Sequence, residues 1–292
     1  MTFEQLRIFV AVAERLHVTQ AASHLNLTQS AVSASIAQLE TQHGVRLFDR
    51  IGRRIELTEA GRLFLHEARE LLARAAQTRH VLDELADELR GQIRIHASQT
   101  VASYWLPPHL LALRTAHPSI DIALTLANTT TVAAAVSDGS ADIGFVEGAV
   151  RQDDLLQRVV ARDELVLVVG REHPWSKVSA VEPSRYATQG WILREPGSGT
   201  RAEFEAHARG AAVAPEALRV LLELPSNEAV LSAVATGLGV SVLSRRAVAS
   251  AVAAGEVAAL PVDHPPRPFT VLTHPERHRT RAVAALLELA SA

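Results

Sequence analysis

From Thr58 to about Leu89 no residue breaks a helix, and apolar residues recur along the run at alternating spacings of four and three. Thr58 is a good N-cap, Glu59 puts an acid in the first turn where the helix dipole favours one, and Gly91 ends the run. A helix of this length divides the 292 residues into a head (1–58), a linker helix (59–90) and a body (91–292). Phe64, Ala68, Leu71, Ala75, Thr78, Leu82, Leu85 and Leu89 form a heptad seam. Such a seam suits a coiled coil between two copies of the chain; the alternative is a long helix packed on its own domain.

In the head, Phe3, Leu6, Val10 and Ala13 keep helical spacing. A second short helix fits Thr19 to Leu25, with Ala21, Ala22 and Leu25 inward, and Asn26-Leu27 makes a tight turn. Thr28 then caps a third helix that runs to about Gln42, buries Val32, Ile36 and Leu39, and stops at Gly44. Small alanines at the crossing of two helices, a short turn and a helix with a polar outer face make a helix-turn-helix pattern. That outer face carries Gln29, Ser30, Ser33, Ala34 and Ala37. Gln bonds adenine through two hydrogen bonds, Ser tolerates several bases, and Ala touches a thymine methyl. The helices alone also suit a small bundle with a solvated face. The next segment separates the two readings. Val45 to Leu57 reads as two short strands joined near Gly52, with four arginines and one acid between Arg46 and Arg54. A hairpin wing carrying Arg50, Arg53 and Arg54 can sit on phosphates beside the groove that the third helix enters. The net charge is −3, and residues 1–60 hold six arginines against six acids. DNA binding would therefore rest on where the charges sit.

These segments resemble the LysR-type transcriptional regulators. The resemblance is carried by Phe3-Glu4-Gln5-Leu6-Arg7-Ile8-Phe9, Gln20-Ala21-Ala22-Ser23-His24-Leu25, Gln29-Ser30-Ala31-Val32-Ser33, Leu39-Glu40, Leu47-Phe48-Asp49-Arg50 and Leu57-Thr58-Glu59-Ala60-Gly61. It implies a winged helix-turn-helix on double-stranded promoter DNA, read by a homodimer or homotetramer, with RNA polymerase as a further candidate partner. It also implies Gln29, Ser30 and Ser33 near bases, with Ala34 on the same face, and Arg50, Arg53 and Arg54 near phosphate. Many family members carry proline in place of Ser30 and arginine in place of Ala34, so this operator is expected to be read differently.

In the body, strands and helices alternate. Residues 93–97, 120–126, 143–146, 165–169, 191–193, 218–222, 240–243 and 269–272 read as buried or half-buried strands with helical stretches between several of them. The pattern predicts an α/β domain on mainly parallel sheets. The family resemblance implies a periplasmic-binding-protein-like fold with the ligand in the cleft between two subdomains, about 91–163 with 267–292 and about 164–266. Open α/β sheets bind ligands beyond the carboxyl ends of their strands. Four such junctions are rich in hydroxyls: Ser98-Gln99-Thr100, Asn128-Thr129-Thr130-Thr131, Gly197-Ser198-Gly199-Thr200-Arg201 and Ser226-Asn227. Singly, each also suits a plain helix cap. The Gly-Ser-Gly-Thr-Arg run resembles LysR-type regulators of sulfur metabolism and carbon fixation. By that resemblance Ser98, Thr100, Thr130, Thr200 and Ser226 are the expected effector contacts, Arg201 a candidate charge, and a small hydrophilic anion the expected effector. An aromatic carboxylate is the alternative; only 4% of residues are aromatic, though Tyr104 and Trp105 lie near the first junction.

Other chemistries find less support. There is no cysteine, which removes disulfides and thiolate metal sites. No apolar run reaches the ~20 residues of a membrane span, and the first residues carry no export pattern, so a cytoplasmic protein off the membrane is expected. His274 and His278 are four apart, but Pro275 disfavours helix at His274, and no metal is expected. The glycine-rich run lacks the Gly-Lys-Ser/Thr ending of a nucleotide loop, and no Gly-x-Ser-x-Gly elbow occurs. Neither a cofactor nor an enzymatic activity is expected. An enzyme with a helical dimerisation head, a solute-binding transport component and an architectural DNA binder remain as competing readings.

Overall fold

The computed structural model describes residues 1–51, 54–84, 91–150 and 152–291. Arg53, Leu85 and Leu89 lie outside the described residues, as does the side chain of Leu82. Two compact units are present, one built mainly on residues 1–82 and the other mainly on residues 83–292.

In the first unit, α1 (Phe3–Arg15) opens with a capping box: the Thr2 hydroxyl accepts the Gln5 N–H and the Gln5 side chain accepts the Thr2 N–H. Leu16, at φ 47°, turns the chain into α2 (Val18–Leu25). That helix starts one residue earlier than the sequence suggests, because His17 caps it, its Nδ1 accepting the Gln20 N–H at 3.4 Å. Asn26, at φ 56°, makes the turn to α3 (Gln29–His43), where the Thr28 hydroxyl accepts the Ala31 N–H at 3.2 Å and Gly44 closes the far end. The wing is an antiparallel pair, β1 (Phe48–Ile51) and β2 (Arg54–Leu57), with Arg50 opposite Ile55. Glu40 of α3 ties the wing to that helix, its carboxylate accepting the Leu47 and Phe48 N–H groups at 2.7 and 3.1 Å. The linker helix α4 (Glu59–Glu84) is capped by Thr58, whose hydroxyl accepts the Gly61 N–H at 2.9 Å. A Cβ on Gly61 would collide with the Leu47 carbonyl oxygen, so glycine permits this close approach.

Leu6, Phe9, Ala13, Leu39, Leu47 and Ala68 form one core of the head, and Ile8, Ala11, Val12, Ala21, Ala22 and Val32 form a second. Phe3 is 55% exposed, since it sits one turn beyond the edge of that core. The seam also departs from expectation over its first positions. Phe64 lies 4.8 Å from the Phe9 ring and Ala68 is buried in the same cluster, so both are spent on the chain's own head rather than presented to a second copy. Leu71, one step further, is 43% exposed.

In the second unit, β3 (Gly91–Ser98), β4 (Ile120–Ala127) and β5 (Ile143–Glu147) run parallel in the order β4-β3-β5, linked by α5 (Gln99–Tyr104), α6 (Pro107–Ala116) and α7 (Thr129–Asp138). β6 (Leu156–Asp163) completes the outward path. The chain then enters a second sheet of β7 (Leu165–Gly170), β8 (Gly190–Arg194), β9 (Arg219–Leu224), β10 (Val240–Ser244) and β11 (Val257–Pro261), ordered β11-β7-β10-β8-β9. Its main helices are α8 (Gly199–Gly210), α9 (Asn227–Ala235) and α10 (Arg245–Ala253). β12 (Arg267–Thr273) returns to the first sheet between β5 and β6, and α11 (Arg281–Leu289) packs on that sheet. The sheets are mixed rather than mainly parallel: in each, two of the four pairings are antiparallel. The antiparallel pairings arise at the crossovers, where β6, β7, β11 and β12 carry the chain between sheets. β6 and β11 escape the sequence pattern because one is rich in exposed polar residues and the other is short and alanine-containing.

Each sheet is covered on both faces. In β5, Ile143 and Phe145 enter one core and Val146 the other, as strand alternation requires. Glu147 takes the next place on the Ile143–Phe145 face. The strands thus carry polar groups to their last residues: Ser98, Glu147, Asp163, Arg194 and Ser244 end β3, β5, β6, β8 and β10.

Candidate DNA interface and effector site

In the head, α2, α3 and the wing enclose a groove of about 240 Å³. Gln29, Ser33, Arg50 and Arg54 line it together, so four sequence-expected contacts share one surface. Ser30 and Ala34 are exposed on α3 outside its lining, and the Ser30 hydroxyl lies 3.1 Å from that of Thr28. His17 and Thr19 of the α2 entrance also line the groove and were not anticipated; the only sequence signal for them was their place at the start of the second helix. Among the described residues neither Arg50 nor Arg54 forms an ion pair, which leaves both guanidiniums free for an external anion.

The body gathers a different kind of site. Thr100 is fully buried and its hydroxyl accepts the Asn227 Nδ2–H at 3.1 Å. Asn227 Oδ1 accepts from Arg194 Nη1 at 2.6 Å, and Arg194 grips Glu195 through Nε and Nη2 at 2.8 and 2.9 Å. Arg267 donates through Nε and Nη2 to Asp163 at 2.9 and 2.8 Å and through Nη1 to the Thr200 hydroxyl at 2.9 Å. Ser244 donates to the other Asp163 oxygen at 2.7 Å. Both arginines and Asp163 are at most 3% exposed. Buried charges of this kind persist only where paired and hydrogen-bonded.

Glu147 joins these two arms. It is 1% exposed, and the Ser98 hydroxyl donates to its carboxylate. Burial pushes its carboxyl pKa up; Arg267 and Arg194 oppose that, Asp163 reinforces it, and a Thr100 hydrogen bond lowers it. The Ser98 hydroxyl makes no cap bond to α5. Gly199 packs against the same strand end: a Cβ there would collide with the Glu147 carbonyl oxygen, which instead accepts the Thr129 hydroxyl at 3.0 Å.

The structure therefore brings together Ser98, Thr100 and Thr200 of the expected contacts and displaces two. Thr130 is exposed while Thr129 is buried, because successive positions at a helix start point about 100° apart. Ser226 is spent as the N-cap of α9, accepting the Ala229 N–H at 3.0 Å, and its neighbour Asn227 supplies the buried group. Arg201 is not available as a cleft charge either: it pairs with Glu205 and Glu223, both at 2.8 Å. The buried charges of this cluster are Arg194, Arg267, Asp163 and Glu147, none of which the sequence singled out as a contact. Tyr104 donates to Glu228 at 2.9 Å, and Trp105 packs 6.0 Å from Phe145 and 5.9 Å from Phe269, so these aromatics are committed elsewhere.

Comparisons with known proteins bear on both units. The family described as bacterial regulatory helix-turn-helix protein, lysR family, matches residues 3–62, and the LysR substrate binding domain matches residues 86–292. YeiE of Escherichia coli (strain K12), described as an uncharacterized HTH-type transcriptional regulator, is 35% identical over 294 residues, covering 99% of this chain and 96% of the relative. Full-length CbnR complexed with its target DNA has a similar fold, with a TM-score of 0.69 over 100% of both chains at 24% identity. The CcmR regulatory domain of Synechocystis PCC6803, solved in complex with 2-PG, matches 69% of this chain and 96% of its own at a TM-score of 0.63 and 27% identity. With a DNA-binding head and an effector-binding body both matched, the chain belongs to the LysR family of bacterial transcriptional regulators.

Proposed function

We propose that this regulator responds to a small anion bound at the strand ends of the body, and that it reads its operator through the groove between α3 and the wing. The observation that carries the effector reading is the pair of buried guanidiniums, Arg194 and Arg267, joined to buried hydroxyls from both sheets. An arginine has five N–H donors. Each of these two donates through all three nitrogens and retains two further N–H groups for a ligand oxygen. Ser98, Thr100, Thr129 and Thr200 add hydroxyls, while Thr130 and Ser226 have at most a peripheral part. The CcmR regulatory domain, solved with 2-PG, lends the reading further support from a relative. The commitment of Tyr104 and Trp105 elsewhere disfavours an aromatic carboxylate.

On DNA, Gln29 and Ser33 would meet bases, with Ser30 and Ala34 beside them, while Arg50 and Arg54, together with Arg53, hold phosphates. A homodimer or homotetramer supplies the paired heads that a two-fold operator requires. It acts in the cytoplasm, where promoter DNA and RNA polymerase are. A ligand shifts such a regulator only if it binds two arrangements unequally. The test is footprinting of the DNA upstream of its own gene at fixed salt, with and without sulfite, sulfate, thiosulfate, phosphorylated sugars and short carboxylates. A specific footprint altered by one anion is expected. A footprint indifferent to the whole panel overturns the anion reading and leaves the DNA reading standing.

A further inference from the structure

Glu147 is an odd residue to find in an anion site. Arg194 is neutralised by Glu195 and Arg267 by Asp163, each through two hydrogen bonds. Each arginine thus already has a carboxylate partner, Asp163 also meeting Arg246 at 3.7 Å, whereas Glu147 forms no ion pair among the described residues. It holds the Ser98 hydroxyl, one of the groups an incoming anion would use. The ionisable groups that face it are Arg267 from β12, Arg194 from β8 and Asp163 from β6; the α5 side presents Ser98 and Thr100, α7 presents Thr129 and α8 presents Gly199. An ionised carboxylate has only acceptors, and so has a fully ionised oxyanion. Placed side by side out of water, the two repel unless one proton lies between them, as in a pair of carboxyls sharing a site.

We propose that Glu147 sets the specificity of this site, so that the effector is the oxyanion of a weak acid and is bound with one proton held between its oxygen and the Glu147 carboxyl. The inference rests on the anion reading above. The proton balance is simple. A dihydrogen phosphate brings the proton in with it. Sulfate brings none, so Glu147 must already hold one or take one from solvent. Where Glu147 is ionised, sulfate binding consumes one proton per site and weakens about tenfold for each unit of rising pH. The shared chemistry fits inorganic phosphate and the phosphate group of a small metabolite equally.

Calorimetric titration of the full chain with sulfate, inorganic phosphate and methyl phosphate decides the matter. Each titration is run in two buffers of different ionisation heat, from roughly pH 6 to 9. Wild-type protein is expected to take up a proton with sulfate, approaching one per site as pH rises, and to prefer phosphate where that uptake occurs. Glu147→Gln, which offers a fixed donor and acceptor, is expected to bind sulfate without proton uptake and with affinity level across the range. Methyl phosphate binding as tightly as phosphate points to a phosphorylated metabolite, and binding of inorganic phosphate alone to the free ion; both support the shared-proton site. Sulfate binding to wild type with no proton uptake at any pH, on protein whose infrared spectrum shows no protonated buried carboxyl, overturns the inference, as does uptake that persists in Glu147→Gln or a preference for sulfate. Should the variant fail to fold, the wild-type proton count still decides. Binding of none of the three, to protein that melts cooperatively, overturns the weak-acid proposal; sulfite, thiosulfate or a carboxylate altering the footprint would then show that the broader anion reading survives it.

Discussion

The head and the body both place arginines where an anion is expected, yet they treat them in opposite ways. Arg50 and Arg54 stand exposed on a groove wall with no ion pair among the described residues. Arg194 and Arg267 are buried and hydrogen-bonded to partners through three nitrogens each. An exposed arginine keeps its hydration until it meets a phosphate, gives long-range attraction, and yields a contact that salt weakens. A buried one has been desolvated during folding, so its neighbours fix its direction and a ligand meets it ready-oriented. The first arrangement suits a polyanion of variable sequence; the second suits one small molecule of fixed shape. The two sites should therefore fail differently when broken.

The largest effect is expected in the body. Arg267→Ala leaves Asp163 buried with only Ser244 and the more distant Arg246, 3.7 Å away, to meet its charge. Removing one member of a buried pair costs about 3–5 kcal/mol. Denaturant unfolding should show that loss in the body, with the head unaffected. A variant losing less than about 1 kcal/mol would mean that the pair is not a structural element of the fold. In the head, Gln29→Ala should leave stability unchanged and act on discrimination instead, by about 1–3 kcal/mol at one base position. Equal loss on operator and random DNA would remove Gln29 from base reading.

How much of this was legible in the chain follows the same division. The head was readable because its signals are local: Thr28 and Gly44 bound α3, and a hairpin with arginines follows within a few residues. The alternation of the body gave the α/β class, but β6 and β11 were missed because the first is largely exposed and polar and the second is short, so neither shows an apolar run. The buried cluster was half legible. Hydroxyls after strands marked the junctions that hold Ser98, Thr100 and Thr200, since a strand-to-helix junction is itself a local feature, and the family resemblance singled those residues out. Arg194, Arg267, Asp163 and Glu147 were not found, because what makes them special is pairing over long separations: Asp163 and Arg267 are 104 positions apart, and Ser98 and Glu147 are 49 apart. Thr129 and Thr130 could not be told apart without the phase of α7. Phe64 and Ala68 fit a seam and a core equally well by spacing, and only the Phe9 ring decides between them.

A smaller effect should come from Thr28→Ala. Its hydroxyl caps α3 at the end that carries Gln29 and Ser30, so its loss frays the helix at the residues proposed to meet bases. The expected cost is about 1 kcal/mol of stability. Operator affinity should fall more than that of random DNA, since the reading end is disordered while the wing is not. Equal losses would place the reading groups further along the helix.

The smallest effect is also the sharpest discriminator between the two kinds of arginine. Arg54→Ala should leave the melting temperature unchanged, because the side chain is exposed and pairs with nothing among the described residues. If it holds one phosphate, the slope of log affinity against log salt should become shallower by about 0.9. Across a fourfold change in salt that amounts to roughly a threefold difference in affinity, the same on operator and random DNA. Arg50→Ala should repeat it, since both line one groove. Arg267→Ala should instead leave that slope alone when the folded fraction is corrected for, because its charge is already neutralised inside the body. A slope that moves with Arg267 and not with Arg54 would reverse the division of labour between the exposed and the buried guanidiniums.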